Sequence, residues 1–185
     1  MPNIFLIHGA YGDPEENWFP WIKSELEKRG LGVYVPKFPT PENQTLENWL
    51  AVFESCEKYV NKDSIFIGHS LGLAFILNLL EKSDRLIKAA FLVAGFVGYL
   101  GNPKFDEINK TFVDKKFDWE KIKKNCQKFY IFYSDNDPYV PAEKSREAVR
   151  RLEAESIFVK GAGHFNKDCG YDKFELLLDV LKKEF

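Results

Sequence analysis

The chain has 185 residues, 45% hydrophobic and 29% charged, a size and composition that suit one compact domain with a sizeable core and leave little room for two. A formal net charge of -2, with basic residues spread along the sequence, offers no footprint for nucleic acid or an anionic membrane. The three cysteines, Cys56, Cys126 and Cys169, are too few and too widely spaced for a disulfide framework or a zinc site. The N-terminus has neither the basic start nor the apolar length of a secretion signal, so a reducing, cytoplasmic location is expected.

In chain order, short β-rich runs alternate with helical patterns, the signature of a parallel sheet covered by helices on both faces. Strands are expected at Asn3–Ile7, Gly32–Val35, Ser64–Ile67, Ala89–Ala94, Phe129–Tyr133 and Ser156–Val159. Each is nearly continuous in apolar character, as strands buried on both faces should be. Helices are expected near Trp18–Arg29, Leu46–Asn61, Leu71–Lys82, Asp118–Asn125, Ala142–Leu152 and Tyr171–Lys183. Gly30 should close the first, Thr45 should open the second and Asp118 should cap the fourth. Phe96–Phe117 reads as a long irregular loop, packed by its own aromatics rather than disordered. The longest apolar tract, Ala89–Leu100, is too short to span a bilayer.

The sharpest motif is Gly68-His69-Ser70-Leu71-Gly72, a G-x-S-x-G set between the third strand and an apolar helix. A serine on that tight turn is held in a strained backbone, exposed, at a helix N-terminus that favours developing negative charge. A serine hydroxyl needs a base, and there are three histidines. His69 lies inside the motif and His8 ends the first strand, which leaves His164 in Gly161-Ala162-Gly163-His164-Phe165, after the last strand. The acid that orients the histidine is expected in Asp135-Asn136-Asp137-Pro138, after the fifth strand. Asp135 sits where the chain still extends along the sheet, whereas Asp137 lies in the turn and is stiffened by Pro138, so Asp137 is assigned and Asp135 is left to serve the turn. No G-x-G-x-x-G or G-x-x-x-x-G-K-[ST] loop is present, so neither nucleotide nor other cofactor is expected, and no cluster has metal-ligand spacing.

These motifs resemble the α/β-hydrolase superfamily, and more narrowly the small single-domain serine hydrolases related to retinoblastoma-binding protein 9. The resemblance spans nearly the whole chain and is carried by Ile7-His8-Gly9, Asn17-Trp18-Phe19-Pro20-Trp21, Gly68–Gly72, Ser134–Pro141 and Gly163-His164-Phe165. It implies a three-layer α/β sandwich of about six parallel strands without a large cap domain. It also implies a Ser70–His164–Asp137 triad acting on a small-molecule acyl substrate, an ester, thioester or amide. His8-Gly9-Ala10-Tyr11-Gly12 resembles the loop that supplies an oxyanion-hole N–H, with Ala10 first and Tyr11 in reserve, beside the amide of Leu71. Tyr11, Trp18, His69 and Phe165 are assigned to a substrate pocket, although aromatics there suit the core equally. Around Cys56 the sequence reads Phe53-Glu54-Ser55-Cys56-Glu57 rather than L-x-C-x-E, so no retinoblastoma-type partner is expected. The competing expectation is a hydrolase-fold binding or scaffolding protein with little turnover.

Overall fold

Six strands form one sheet in the computed structural model, which describes residues 2–185. They are β1 (Asn3–Ile7), β2 (Gly32–Tyr34), β3 (Ile65–His69), β4 (Ile87–Val93), β5 (Cys126–Tyr133) and β6 (Glu155–Phe158). Their spatial order is β2-β1-β3-β4-β5-β6, and every neighbouring pair runs parallel. All C-terminal strand ends therefore open on one edge. The winding reverses between β1 and β3, and such a switch point leaves a crevice at the carboxyl ends of the strands.

Side chains alternate between the two faces of the sheet, and helices bury both. Ile4 and Leu6 of β1, Ile65 and Ile67 of β3, and Phe91 and Val93 of β4 pack with α1 (Phe19–Glu27) and α7 (Glu175–Leu181). On the other face, Phe5, Ile7, Phe66, Ala90 and Leu92 meet α2 (Leu46–Glu57), α3 (Leu71–Lys82), α4 (Pro103–Val113), α5 (Trp119–Lys124) and α6 (Ala142–Leu152). Burial on both faces explains the unbroken apolar runs of the central strands β1, β3 and β4, whereas the edge strands β2 and β6 are half-buried to exposed. Helix α3 lies between the sheet and α2, α4 and α5, so it is buried almost all round. Two helix starts follow from local chemistry: the Thr45 hydroxyl accepts the Asn48 N–H at 3.2 Å, and the Asp118 carboxylate accepts the Lys121 N–H at 3.0 Å.

Three expected segments differ, the first being α2, which ends at Glu57 rather than Asn61. Residues 96–117 are not a continuous loop, because they contain α4. Asn102 caps this helix by accepting the Lys104 N–H, Pro103 sits in its first turn, and the Asp106 carboxylate accepts the N–H groups of Leu100 and Gly101. Phe105, Ile108, Phe112 and Val113 recur at helical spacing, a signal masked by Gly98, Gly101 and Pro103. The last helix begins at Glu175 rather than Tyr171. A 3-10 turn (Lys167–Cys169) and the packed rings of Phe165, Tyr171 and Phe174 occupy the stretch before it.

Candidate active site

The turn after β3 holds Ser70 at φ 55° and ψ -119°, a conformation that L residues rarely adopt. Its neighbours over-determine it. The Ser70 N–H donates to the Val93 carbonyl of β4 at 2.9 Å. A Cβ on Gly72 would sit 2.5 Å from the Ile7 carbonyl oxygen, and one on Gly68 would sit 2.7 Å from Ile76 Cδ1. Glycine at both positions lets α3 start directly against β1, and the serine projects beyond the sheet edge.

His164 is brought to the same edge by the loop after β6, which is stitched to the turn after β5. Ser134 Oγ donates to the Gly163 carbonyl at 2.6 Å, Asn136 Oδ1 accepts the Gly163 N–H at 2.7 Å, and Asp135 Oδ1 accepts the Gly161 N–H at 2.7 Å. At the end of this seam His164 Nδ1 donates to Asp137 Oδ2 at 2.7 Å. The other Asp137 oxygen accepts the N–H groups of Tyr139 and Val140, which fixes the carboxylate plane. Asp137 therefore makes the turn itself and also meets the histidine. The expectation that Asp135 serves the turn is corrected: its Oδ1 instead accepts the Gly161 N–H, across in the histidine loop. In the sequence Ser134 and Asn136 have no role of their own, because Ser-Asp-Asn-Asp-Pro reads as an ordinary turn and their partner Gly163 lies 29 and 27 residues away.

His8 shapes the loop after β1. The Phe38 N–H donates to His8 Nε2 at 3.0 Å, so the ring proton sits on Nδ1, which donates to the Gly9 carbonyl at 2.9 Å. Burial pushes this imidazole below its ordinary pKa and keeps it neutral. The Tyr11 N–H is taken by Thr40 Oγ1 at 2.7 Å, so of the two loop amides only that of Ala10 makes no hydrogen bond among the described residues. The Leu71 N–H opens α3 and has no partner within its own helix.

Ser70, His164, Gly9, Ala10 and Tyr11 line one cavity of about 690 Å³, with α4 forming a wall through Phe105 and Asn109. Tyr11, Phe105, Tyr139 and His164 make a chain of edge-to-face aromatic contacts along it. Among the described residues no hydrogen bond joins the Ser70 hydroxyl to His164. His69 also lines the cavity, but its Nε2 is spent on the His164 carbonyl at 2.8 Å. Two pocket assignments need correction: Trp18 and Phe165 are fully buried in the core beneath the cavity. Trp18 Nε1 donates to the Phe165 carbonyl at 2.9 Å, so the pair anchors the histidine loop instead of meeting substrate. Cys169 is exposed, with its sulfur against Gly163. Among the described residues no group of His, Cys, Asp and Glu side chains is arranged to hold a metal ion, and no helix is long and apolar enough to cross a membrane.

Comparison with known proteins gives the family and the fold. The family model described as serine hydrolase matches residues 4–183. YdeN of Bacillus subtilis (strain 168) is 28% identical over 184 residues, covering 98% of this chain and 95% of that protein. The crystal structure of the ydeN gene product superposes with a TM-score of 0.93 over 100% of this chain and 99% of that one, at 27% identity. Serine hydrolase RBBP9 of Rattus norvegicus is 28% identical over 166 residues, 89% of this chain and 84% of its own length. Mouse alpha/beta hydrolase domain-containing protein 10, at 15% identity, shares the fold with a TM-score of 0.72 over 99% of this chain and 89% of that one.

Proposed function

Because the chain belongs to the serine hydrolase family, we propose that it cleaves a small carboxylic ester, thioester or amide through an acyl-enzyme on Ser70. His164 takes the hydroxyl proton as Ser70 Oγ adds to the substrate carbonyl. The amides of Leu71 and Ala10 donate to the resulting oxyanion, an interaction whose loss typically costs about 10²–10³ in rate per donor. Collapse of the tetrahedral adduct expels the leaving group, which receives the proton from His164. Water then adds to the acyl-enzyme, again giving its proton to His164, and the second collapse returns that proton to Ser70 Oγ and releases the acid.

The hydrogen bond from His164 Nδ1 to Asp137 Oδ2, at 2.7 Å, is the observation that carries this reading. It commits Nδ1 as donor and leaves Nε2 as the basic nitrogen, and the carboxylate stabilises the imidazolium of each step. Ser70 Oγ and Nε2, which share no hydrogen bond in the free protein, come within hydrogen-bond reach when substrate enters, as catalytic groups of this kind do. An activated p-nitrophenyl ester tests the scheme. A burst of p-nitrophenol equal to the enzyme concentration, with the acyl mass on the Ser70 peptide after acid quenching, is expected. An acyl group found on another residue, or turnover with no covalent adduct from a poorly deacylating ester, would overturn it.

A further inference from the structure

The wall that α4 contributes to the cavity contains a polar group with a fixed orientation and no protein partner. Asn109 is only 2% exposed, yet it lines the cavity beside Ser70 and His164. Its Oδ1 accepts from Gln44 Nε2 at 2.8 Å, and the same Gln44 nitrogen donates to the Ile108 carbonyl at 3.0 Å. Gln44 Oε1 in turn accepts the hydroxyl of Thr40, whose oxygen is already the acceptor for the Tyr11 N–H. Every link therefore points one way: from the Tyr11 amide through Thr40 to Gln44, and from Gln44 to Asn109. Flipping the Gln44 amide would set its oxygen against the Ile108 carbonyl, and flipping the Asn109 amide would set two NH₂ groups together. The amide nitrogen of Asn109 is left aimed away from the network. It makes no hydrogen bond among the described residues, and no fully buried side-chain nitrogen or oxygen is unpartnered, so this nitrogen keeps contact with the cavity.

We propose that Asn109 is a specificity-determining residue, whose Nδ2–H binds a neutral oxygen acceptor, a carbonyl or an ether, carried by the substrate beyond its scissile group. The proposal rests on the acyl-enzyme reading of the same cavity. A neutral acceptor fits because an amide N–H carries no full charge, Phe96, Leu100 and Phe105 line the same cavity, and its acids Glu15, Glu16, Asp168 and Asp172 outnumber its lysines Lys104 and Lys167, which disfavours a carboxylate there. A pre-aimed donor also discriminates strongly, since a substrate with a methyl group in place of the oxygen leaves it unpaired and dehydrated. Gln44 and Thr40 are positioning residues in this account. They tie the choice of substrate to the loop that carries Ala10.

Two matched substrate pairs test this, each differing only by a ketone oxygen replaced with a methyl group. One pair varies the acyl side, a p-nitrophenyl oxohexanoate against the methyl-branched chain, and the other varies the alcohol side, acetonyl against isobutyl butyrate. Rates are normalised to alkaline hydrolysis and to active sites titrated with a fluorophosphonate. The wild-type protein should favour the ketone in one pair by about tenfold in kcat/KM, the worth of one desolvated hydrogen bond. Asn109→Asp keeps an oxygen for Gln44 and replaces the donor with an acceptor, so the ratio should fall to about one or below. Asn109→Ser, which cannot reach the cavity, should give a ratio of about one and serves if the aspartate variant does not fold. A wild-type ratio near one in both pairs, with activity still dependent on Ser70, would overturn this proposal alone. A ketone preference that survives in the folded variants would overturn it too, and turnover that survives Ser70→Ala would overturn both this proposal and the acyl-enzyme reading.

Discussion

His69, the residue immediately before the serine, donates its Nε2–H to the backbone carbonyl of His164 across 2.8 Å. The elbow and the histidine loop are thus joined by a buried ring, at 4.7 Å centroid separation from the imidazole of His164. Burial is the main cause that pushes the His69 pKa down to about 3, with the neighbouring His164 adding to it. In the unfolded chain the same ring titrates near its ordinary value of about 6.5. The unfolded state therefore takes up the proton first. Stability is complete above about pH 6.5 and is lost as pH falls towards 3, by up to about 1.4 kcal/mol per pH unit for this group.

His69→Gln keeps an N–H for the His164 carbonyl and removes the titration. Urea midpoints measured from pH 7 to pH 4 should fall less steeply for the variant than for the wild-type protein. Parallel slopes would mean that His69 is not held neutral in the folded state. His8 shifts in the same direction for the same reason and remains in both proteins, so only the difference between the slopes is diagnostic.

The two aspartates of the turn after β5 should separate sharply. Asp137→Asn presents an amide to His164 and should lower kcat by roughly 10²–10⁴. Asp135→Asn keeps the oxygen that accepts the Gly161 N–H and should cost less than about tenfold. Steady-state rates on an activated ester decide between them, and the reverse ranking in two folded variants would move the acid to Asp135.

Gly72→Ala tests the close approach of α3 to β1. The new methyl would meet the Ile7 carbonyl oxygen at 2.5 Å, backbone that cannot swing aside, so a loss of about 1–3 kcal/mol is expected. A melting temperature unchanged within about 2 °C would contradict that contact.

Much of this was legible because the local rules and the global fold agree. The unbroken apolar runs of the central strands β1, β3 and β4 follow from burial on both faces, which the edge strands β2 and β6 lack, and Gly68 and Gly72 flag a helix packed tightly on strands. Asp137 was legible through Pro138, which stiffens its backbone. What escaped was set by partners far along the chain. Trp18 and Phe165 stand in motif positions, but their depth depends on a hydrogen bond spanning 147 residues. Helix α4 carries an ordinary cap and a helical apolar spacing, hidden by the glycines and proline around its start. Asn109 was invisible for the same reason: without the helix, nothing in the sequence sets it opposite Gln44.

The most direct test of the whole account is stoichiometric labelling by a fluorophosphonate, read by intact mass before and after Ser70→Ala. The wild-type protein should gain one adduct per chain and lose its esterase activity in step, while the alanine variant, equally stable, should take no label and turn over at least about 10³-fold more slowly. An alanine variant that still reacts with the probe, or that keeps more than about a tenth of the activity, would contradict the assignment of Ser70 as nucleophile.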